Sequence, residues 1–162
     1  MEDKEINTGN KPERLPEKEF LETFKNVPRV AINLLITDHD GRVLLTRRNI
    51  SPFSGSWHFP GSFLLKNEPI ADAQRRVARD EFGLELDERA DLSLLGAFDD
   101  LHGDPRGHVV DLAYGLTIED SSQIKPTRET SEVKFFDRDK LPKNMGFNHR
   151  DTLHRLGYKD EQ

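Results

Sequence analysis

The chain contains no cysteine, which excludes disulfides and thiolate metal sites alike. No apolar run approaches the roughly 20 residues that a membrane-spanning helix needs. The charged N-terminus also lacks a signal-peptide core. These absences lead us to expect a soluble, cytoplasmic protein. Positive charge is scarce too: 24 Lys and Arg face 30 Asp and Glu, for a net charge of −6. That balance argues against a binder of duplex DNA, although it leaves room for a local basic patch. It also repels polyphosphates, so bound metal and local arginines must reverse the field wherever such a substrate docks. No repeat and no second hydrophobic unit is visible in the 162 residues, and one domain is the simplest partition.

Residues 1–27 read as a charged extension. Met1 to Pro16 is charged, Pro-containing and nearly devoid of large apolar side chains, and is expected to be disordered or loosely attached. From Glu17 to Lys25, the residues Phe20, Leu21 and Phe24 recur at helical spacing and predict a short docking helix. The folded domain then covers residues 28–162. Val30 to Thr37 and Val43 to Arg48 are β-rich runs, and Asp38-His39-Asp40-Gly41 between them supplies the turn of a hairpin. Ser93 to Phe98, His108 to Ile118 and Glu132 to Phe136 predict three more strands. Asn148 to Tyr158 predicts a closing helix, with Phe147, Leu153 and Leu156 as anchors. Elements of both kinds define an α/β chain, with a mixed sheet between helices.

The stretch from Gly61 to Leu84 organises the rest. It reads as a loop, one helix and a stop. Pro69 suits the first helical turn, and Gly83 suits the position just past the end. Ile70, Ala73 and Val77 form a narrow apolar stripe, while Arg76 and Asp80 are spaced to pair across one turn. Glu81 falls near the seam between stripe and solvent. Two neighbouring carboxylates below a Pro-Gly loop suit a hard cation such as Mg²⁺.

These residues resemble the signature of the Nudix hydrolases: Gly, five residues, Glu, seven residues, then Arg-Glu-aliphatic-x-Glu-Glu-x-Gly-aliphatic. Glu68, Arg76, Glu81, Gly83 and Leu84 match, and Asp80 stands for a Glu. Two positions depart: Ser62 replaces the opening Gly, and Val77 replaces the Glu that follows the Arg. In the family that Glu is often a metal ligand or base. Upstream, Pro52 to Gly61 resembles the Pro-x-x-Gly-x-Trp segment that leads into the family's Pro-Gly-Gly. The resemblance covers residues 28–158 and implies a Nudix-type α/β/α sandwich. It further implies Mg²⁺, with Mn²⁺ as the alternative, held by Glu81, Asp80 and the backbone carbonyl of Gly61. Ser62, Glu68, Arg76 and Gly83 then serve as structural parts of the motif.

Other candidates lie outside the signature. Arg48 at a strand end is suited to binding a phosphate oxygen bidentately, and Arg47 lies on the opposite face. A solvated strand-end charge is the ordinary role of either. Trp57 either stacks on a base or sugar or, as is usual for a lone Trp, joins the core. Glu129 and Glu132, near the last strand, are the candidates for a general base. His108 closes an Asp-Pro-Arg-Gly-His segment similar to that of ADP-ribose-type members, and His149 reads as a polar anchor.

GDP-mannose-hydrolysing Nudix members, which cut at the sugar carbon, carry an aliphatic residue where Val77 stands. Their Glu-x-x-Phe lead-in matches Glu17 to Phe20 and their phosphate-contact Arg matches Arg48, but their Gln ligand and His base fall on Glu129 and Thr130. The implied function is Mg²⁺-dependent hydrolysis of a nucleoside diphosphate linked to another moiety. Sugar nucleotides such as GDP-mannose come first and ADP-ribose-like compounds second, with C–O cleavage favoured over P–O. A catalytically degenerate, nucleotide-binding Nudix protein is the reading from a different class. The implied partner is a small nucleotide, with neither duplex nor membrane, and a homodimer stays open.

Overall fold

The computed structural model describes residues 11–90 and 92–162. Val30-Ala31-Ile32-Asn33-Leu34-Leu35-Ile36 is too apolar to alternate cleanly, as expected for a strand covered on both faces. It forms β1 (Arg29–Thr37), which is buried along most of its length. β1 runs parallel to β6 (Val109–Thr117) in unbroken register from Arg29↔Val109 to Thr37↔Thr117. β5 (Ser93–Asp100) pairs antiparallel with the outer edge of β6.

On its other side β1 meets β2 (Val43–Arg48) only at Thr37↔Val43. There the Asp38 carboxylate accepts the N–H groups of Asp40 and Arg42, and Gly41 supplies a φ of 74°. β7 (Thr130–Phe136) covers the far edge of β2. Beyond the turn β1 and β2 diverge, and a wedge of chain fills the gap. β3 (Trp57–His58) lies along β2, and β4 (Gly61–Phe63) lies along β1. Among the described residues these seven strands form one mixed sheet. The sequence reading has no strand in the wedge, because its two pieces are too short for a period-2 pattern and Pro60 separates them.

Alternation along the strands sends side chains to two faces. Leu34, Ile36 and Leu44 meet Val77, Ala78 and Phe82 of α2 (Ile70–Phe82). On the opposite face Leu35, Val43, Leu45 and Phe59 meet Leu153 of α3 (His149–Arg155). Ala31 and Val109 meet Phe24 of α1 (Glu17–Asn26) on that same face. The result is the α/β/α sandwich. Each fully buried Leu, Ile or Phe contributes about 1.5–3 kcal/mol relative to exposure.

Several local expectations are corrected. Pro69 is the extended N-cap of α2 (ψ 144°) instead of part of its first turn. Ile70 is 38 % exposed, so the sheet-facing stripe starts one turn later, at Ala73. Arg76 does not pair with Asp80. It turns back to Glu68, donating from Nε and Nη2 to the two carboxylate oxygens at 2.8 Å each. A bidentate fork of this kind is stronger than a single contact along the helix. Asp80 instead faces Arg79 at 3.4 Å and Arg14 at 3.8 Å. Of the expected loose extension, residues 1–10 lie outside the described residues, and Lys11 to Leu15 borders a cavity.

Candidate active site

The cavity has a volume of about 890 Å³ and its floor is set by strand register. Phe63 and Gly61 of β4 sit beside Ala31 and Asn33 of β1. Ala31 in turn sits beside Asp111 of β6. Phe20 of α1 and the pair Phe147 and His149 at the start of α3 complete the walls.

Glu81, in the last turn of α2, reaches this cavity where β1 and β2 part. It does not sit at the solvent seam, being only 5 % exposed. The Thr46 hydroxyl donates to Glu81 Oε2 at 3.2 Å, and the Gly61 N–H bonds the same carboxylate. His58 Nε2 lies 3.1 Å from Thr46 Oγ1 and 3.9 Å from Glu81 Oε2. With Thr46 donating to Glu81, its oxygen takes the His58 Nε2–H, which fixes that tautomer. Burial, with His149 and Arg48 close by, holds His58 well below 6.5, so the His58–Glu81 approach is not an ion pair. The Glu81 carboxyl is pushed up to about 8, first by burial and then by the charge of Glu129, against Arg48, Thr46 and the Gly61 N–H. In such surroundings a carboxyl takes up a proton or a cation.

Gly61 leaves room for the Asn33 side chain. A Cβ there would lie 2.0 Å from Asn33 Oδ1. The Asn33 amide donates to Asp111 Oδ1 at 3.0 Å, and both residues are buried. Burial, with Asp100 and Asp104 nearby, pushes Asp111 up to about 7 despite that bond.

Arg48 leaves the end of β2 and is held by its own loop. Its Nε donates to Pro52 O at 2.6 Å, and the guanidinium lies 5.0 Å from the Phe147 ring centroid. Burial lowers its pKa, and the charges it senses include Glu81 and Glu129. Glu129 is set in the same cavity by two threonines. Thr130 Oγ1 donates to the Glu81 carbonyl at 2.8 Å, and Thr127 Oγ1 donates to the Asp80 carbonyl. His149 Nδ1 accepts the Phe59 N–H at 3.0 Å, and burial and Arg48 push the ring down to about 3. It is an uncharged anchor that also lines the cavity.

The structure thus brings Glu81, Glu129, Arg48 and Gly61 together. Arg47 and Glu132 do not line the cavity; they face each other at 3.5 Å across β2 and β7, half exposed. Trp57 packs edge-on against Phe136 at 4.9 Å, also outside it. Glu68, Arg76 and Ser62 form a clamp in which Arg76 Nη1 donates to Ser62 Oγ at 3.1 Å and Nη2 to Phe63 O at 3.0 Å. The Ser that departs from the signature is therefore used by its Arg. Gly83 takes φ 70° as the left-handed cap of α2. Val77 is 1 % exposed in the core. His108, half exposed, faces Asp99 at 3.5 Å.

Sequence reasoning missed Asn33, Thr46, His58 and Asp111. Each is a polar residue inside an apolar strand or beside one, and a buried polar side chain in such a run is the signal that was there to find.

Among the described residues, no group of three His, Asp or Glu side chains is placed to hold a metal. Mg²⁺, however, needs only one or two protein carboxylates, with waters and substrate phosphate completing its shell. Glu81 and Glu129 fit that requirement, because their mutual repulsion is relieved by a cation. Asp80 is half-buried and faces Arg79 and Arg14.

A cavity where the buried Glu81 and the exposed Glu129 lie near Arg48, on a mixed sheet between helices, suits the α/β hydrolytic enzymes that act on phosphate compounds. The NUDIX domain family model matches residues 27–156, and the chain belongs to the Nudix hydrolases. It is 34 % identical over 138 residues to the low-salt glycan biosynthesis protein Agl8 of Haloferax volcanii, covering 81 % of this chain and 85 % of that one. It is also 34 % identical over 126 residues to the ADP-ribose pyrophosphatase of Methanocaldococcus jannaschii, covering 78 % and 71 %. Among solved structures it superposes on a MutT NUDIX hydrolase of Burkholderia pseudomallei. The TM-score is 0.70 at 26 % identity, over 81 % of this chain and 99 % of that one. Nudix hydrolases generally use divalent metals such as Mg²⁺ or Mn²⁺. No helix among the described residues is long and apolar enough to cross a membrane.

Proposed function

We propose that the protein is a Mg²⁺-dependent hydrolase of a nucleoside diphosphate linked to a second moiety, with a sugar nucleotide as the first choice of substrate. The observation that carries this reading is the convergence of Glu81, Glu129 and Arg48 on one cavity while Val77 is committed to the core. Glu81 and Glu129 are the carboxylates that would hold the cation. When bound, Mg²⁺ neutralises the diphosphate and stabilises its leaving charge. Arg48, pre-oriented on Pro52 O and Phe147, binds the diphosphate oxygens and gains strength as charge develops on them. Glu129, the second carboxylate of the cavity, is the residue to take a proton from water. The Thr46–His58 pair holds Glu81 in place.

With Val77 buried, the helix offers no carboxylate at the position that usually aims water at phosphorus. Breaking the sugar C–O bond demands less of that position, because the diphosphate departs as one group. The glycan-biosynthesis relative supports a sugar-linked substrate, and the ADP-ribose pyrophosphatase relative supports ADP-ribose as the second choice. The deciding experiment incubates a panel of nucleoside-diphosphate compounds with Mg²⁺ in ¹⁸O-labelled water. Label in the free sugar supports C–O cleavage. Label in a phosphate product assigns P–O cleavage instead. Tight nucleotide binding with no turnover makes the protein a binder and not an enzyme.

A further inference from the structure

Charge along the cavity is uneven. Glu81, Glu129, Asp100, Asp111 and the Asp104–Arg106 pair line it, and Arg29 and Arg106 gather beneath α1. Arg29 opens β1 there, and Arg106 reaches the same place from the loop before β6. Their guanidinium carbons lie 5.5 and 5.1 Å from the centroid of Phe63, and 5.3 and 5.9 Å from that of Phe20. Two like charges therefore share the same two rings.

Only one of them is neutralised. Arg106 is bound by Asp104 through two parallel bonds of 3.0 and 2.8 Å. The side chain of Arg29 makes one hydrogen bond among the described residues, from Nη1 to the neutral Thr23 hydroxyl at 3.0 Å. It forms no ion pair there, and burial lowers its pKa without a carboxylate to oppose the effect. Ring faces attract a guanidinium but cannot accept its in-plane N–H groups. What is left is a planar fork of donors in a cavity wall, the shape that binds phosphate or carboxylate. Lys11, Arg14 and Lys66 line the same cavity, together with Glu13 and Glu17.

We propose that Arg29 is the centre of a second anion subsite, which takes a phosphate or carboxylate carried by the substrate apart from its diphosphate. The identity of the ligand rests on the hydrolase reading above; the subsite itself rests on the unbalanced charge. A cavity of this size accommodates a ligand with both groups. Two sources of the anion are distinguishable: a carboxylate on the sugar, or an extra phosphate on a ribose.

The test compares paired compounds that differ in that group alone: UDP-glucose with UDP-glucuronate, and ADP-ribose with its 2′-phosphate. Dissociation constants are measured by calorimetry, with Ca²⁺ replacing Mg²⁺ to suppress turnover. The wild type is expected to prefer one charged member by about tenfold or more, equivalent to about 1.4 kcal/mol. Which pair shows the preference identifies the source. Arg29→Gln should abolish the preference while binding the neutral twin within about twofold of wild type. Thr23→Val, which cuts the tie to α1 but keeps the guanidinium, should retain it. No preference in either wild-type pair overturns the proposal, as does a preference that survives in Arg29→Gln. Equal weakening of both members by Arg29→Gln also overturns it and makes Arg29 a staple for α1. If none of the four compounds binds, inorganic phosphate decides the subsite. Binding lost in Arg29→Gln then supports it, and no binding to the wild type overturns it.

Discussion

Replacing Asp111 by Asn converts a buried ionisable group into a neutral one of nearly the same shape. The Asn33 amide now donates to Asp111 Oδ1, and an Asn at that position keeps an oxygen for it. The groups bearing on the carboxyl are Asn33, which favours its charge, and Asp100 and Asp104, which oppose it along with burial. Together they raise its pKa from 3.8 to about 7 in the folded protein. The native state therefore keeps this proton over a range in which the unfolded chain has lost it. Stability from this group is fully present below about pH 4 and declines as pH rises, by about 1.4 kcal/mol per pH unit, until about pH 7. The whole loss is about 4 kcal/mol, of which about 3 falls between pH 5 and 8. Asp111→Asn has no such loss. Urea unfolding of both proteins at pH 5 and pH 8, without metal, should show the variant gaining about 3 kcal/mol on the wild type at the higher pH. A difference constant to within about 0.5 kcal/mol across that range refutes the reasoning, and so does a gain in the opposite direction.

Three further outcomes follow from the same geometry. Glu81→Gln should leave the circular dichroism spectrum intact and cut metal-dependent turnover by about 100-fold, or about 2.7 kcal/mol; a loss of threefold or less removes Glu81 from the essential ligands. Val77→Glu places a carboxylate among Leu34, Ile36 and Leu44, so the unfolding free energy from urea titration should fall by roughly several kcal/mol with no gain in Mg²⁺ affinity. Tighter Mg²⁺ binding by a folded Val77→Glu protein would instead reveal a vacant ligand position. Gly61→Ala drives a methyl into Asn33 Oδ1 and should cost about 1–3 kcal/mol in thermal melts, with activity falling as Asn33 shifts; a wild-type melt and rate contradict that.

Local chemistry was legible in the sequence wherever one residue type has few alternatives. Gly83 at a helix end announces a left-handed cap, and the spacing of Glu68, Arg76 and Glu81 marks the motif before any fold is known. Helices α1 to α3 follow from periodicity, because burial of one face imposes it, and strands β1 and β2 follow from their β-rich apolar runs. What lay beyond the sequence was which partner each charged group chose. Arg76 is one helical turn from Asp80, but the loop brings Glu68 close enough for a two-bond fork, and no spacing rule ranks those outcomes. Glu129 and Glu132 are equivalent by residue type. Only the tie of Thr127 and Thr130 to the end of α2 turns the first into the cavity, while β7 pairs the second with Arg47 at the surface. Asn33 and Asp111 are 78 positions apart and become neighbours because β1 and β6 run parallel in a single register. Sequence fixes each residue's chemistry and local geometry, whereas burial and long-range pairing set its charge, its partner and thus its role.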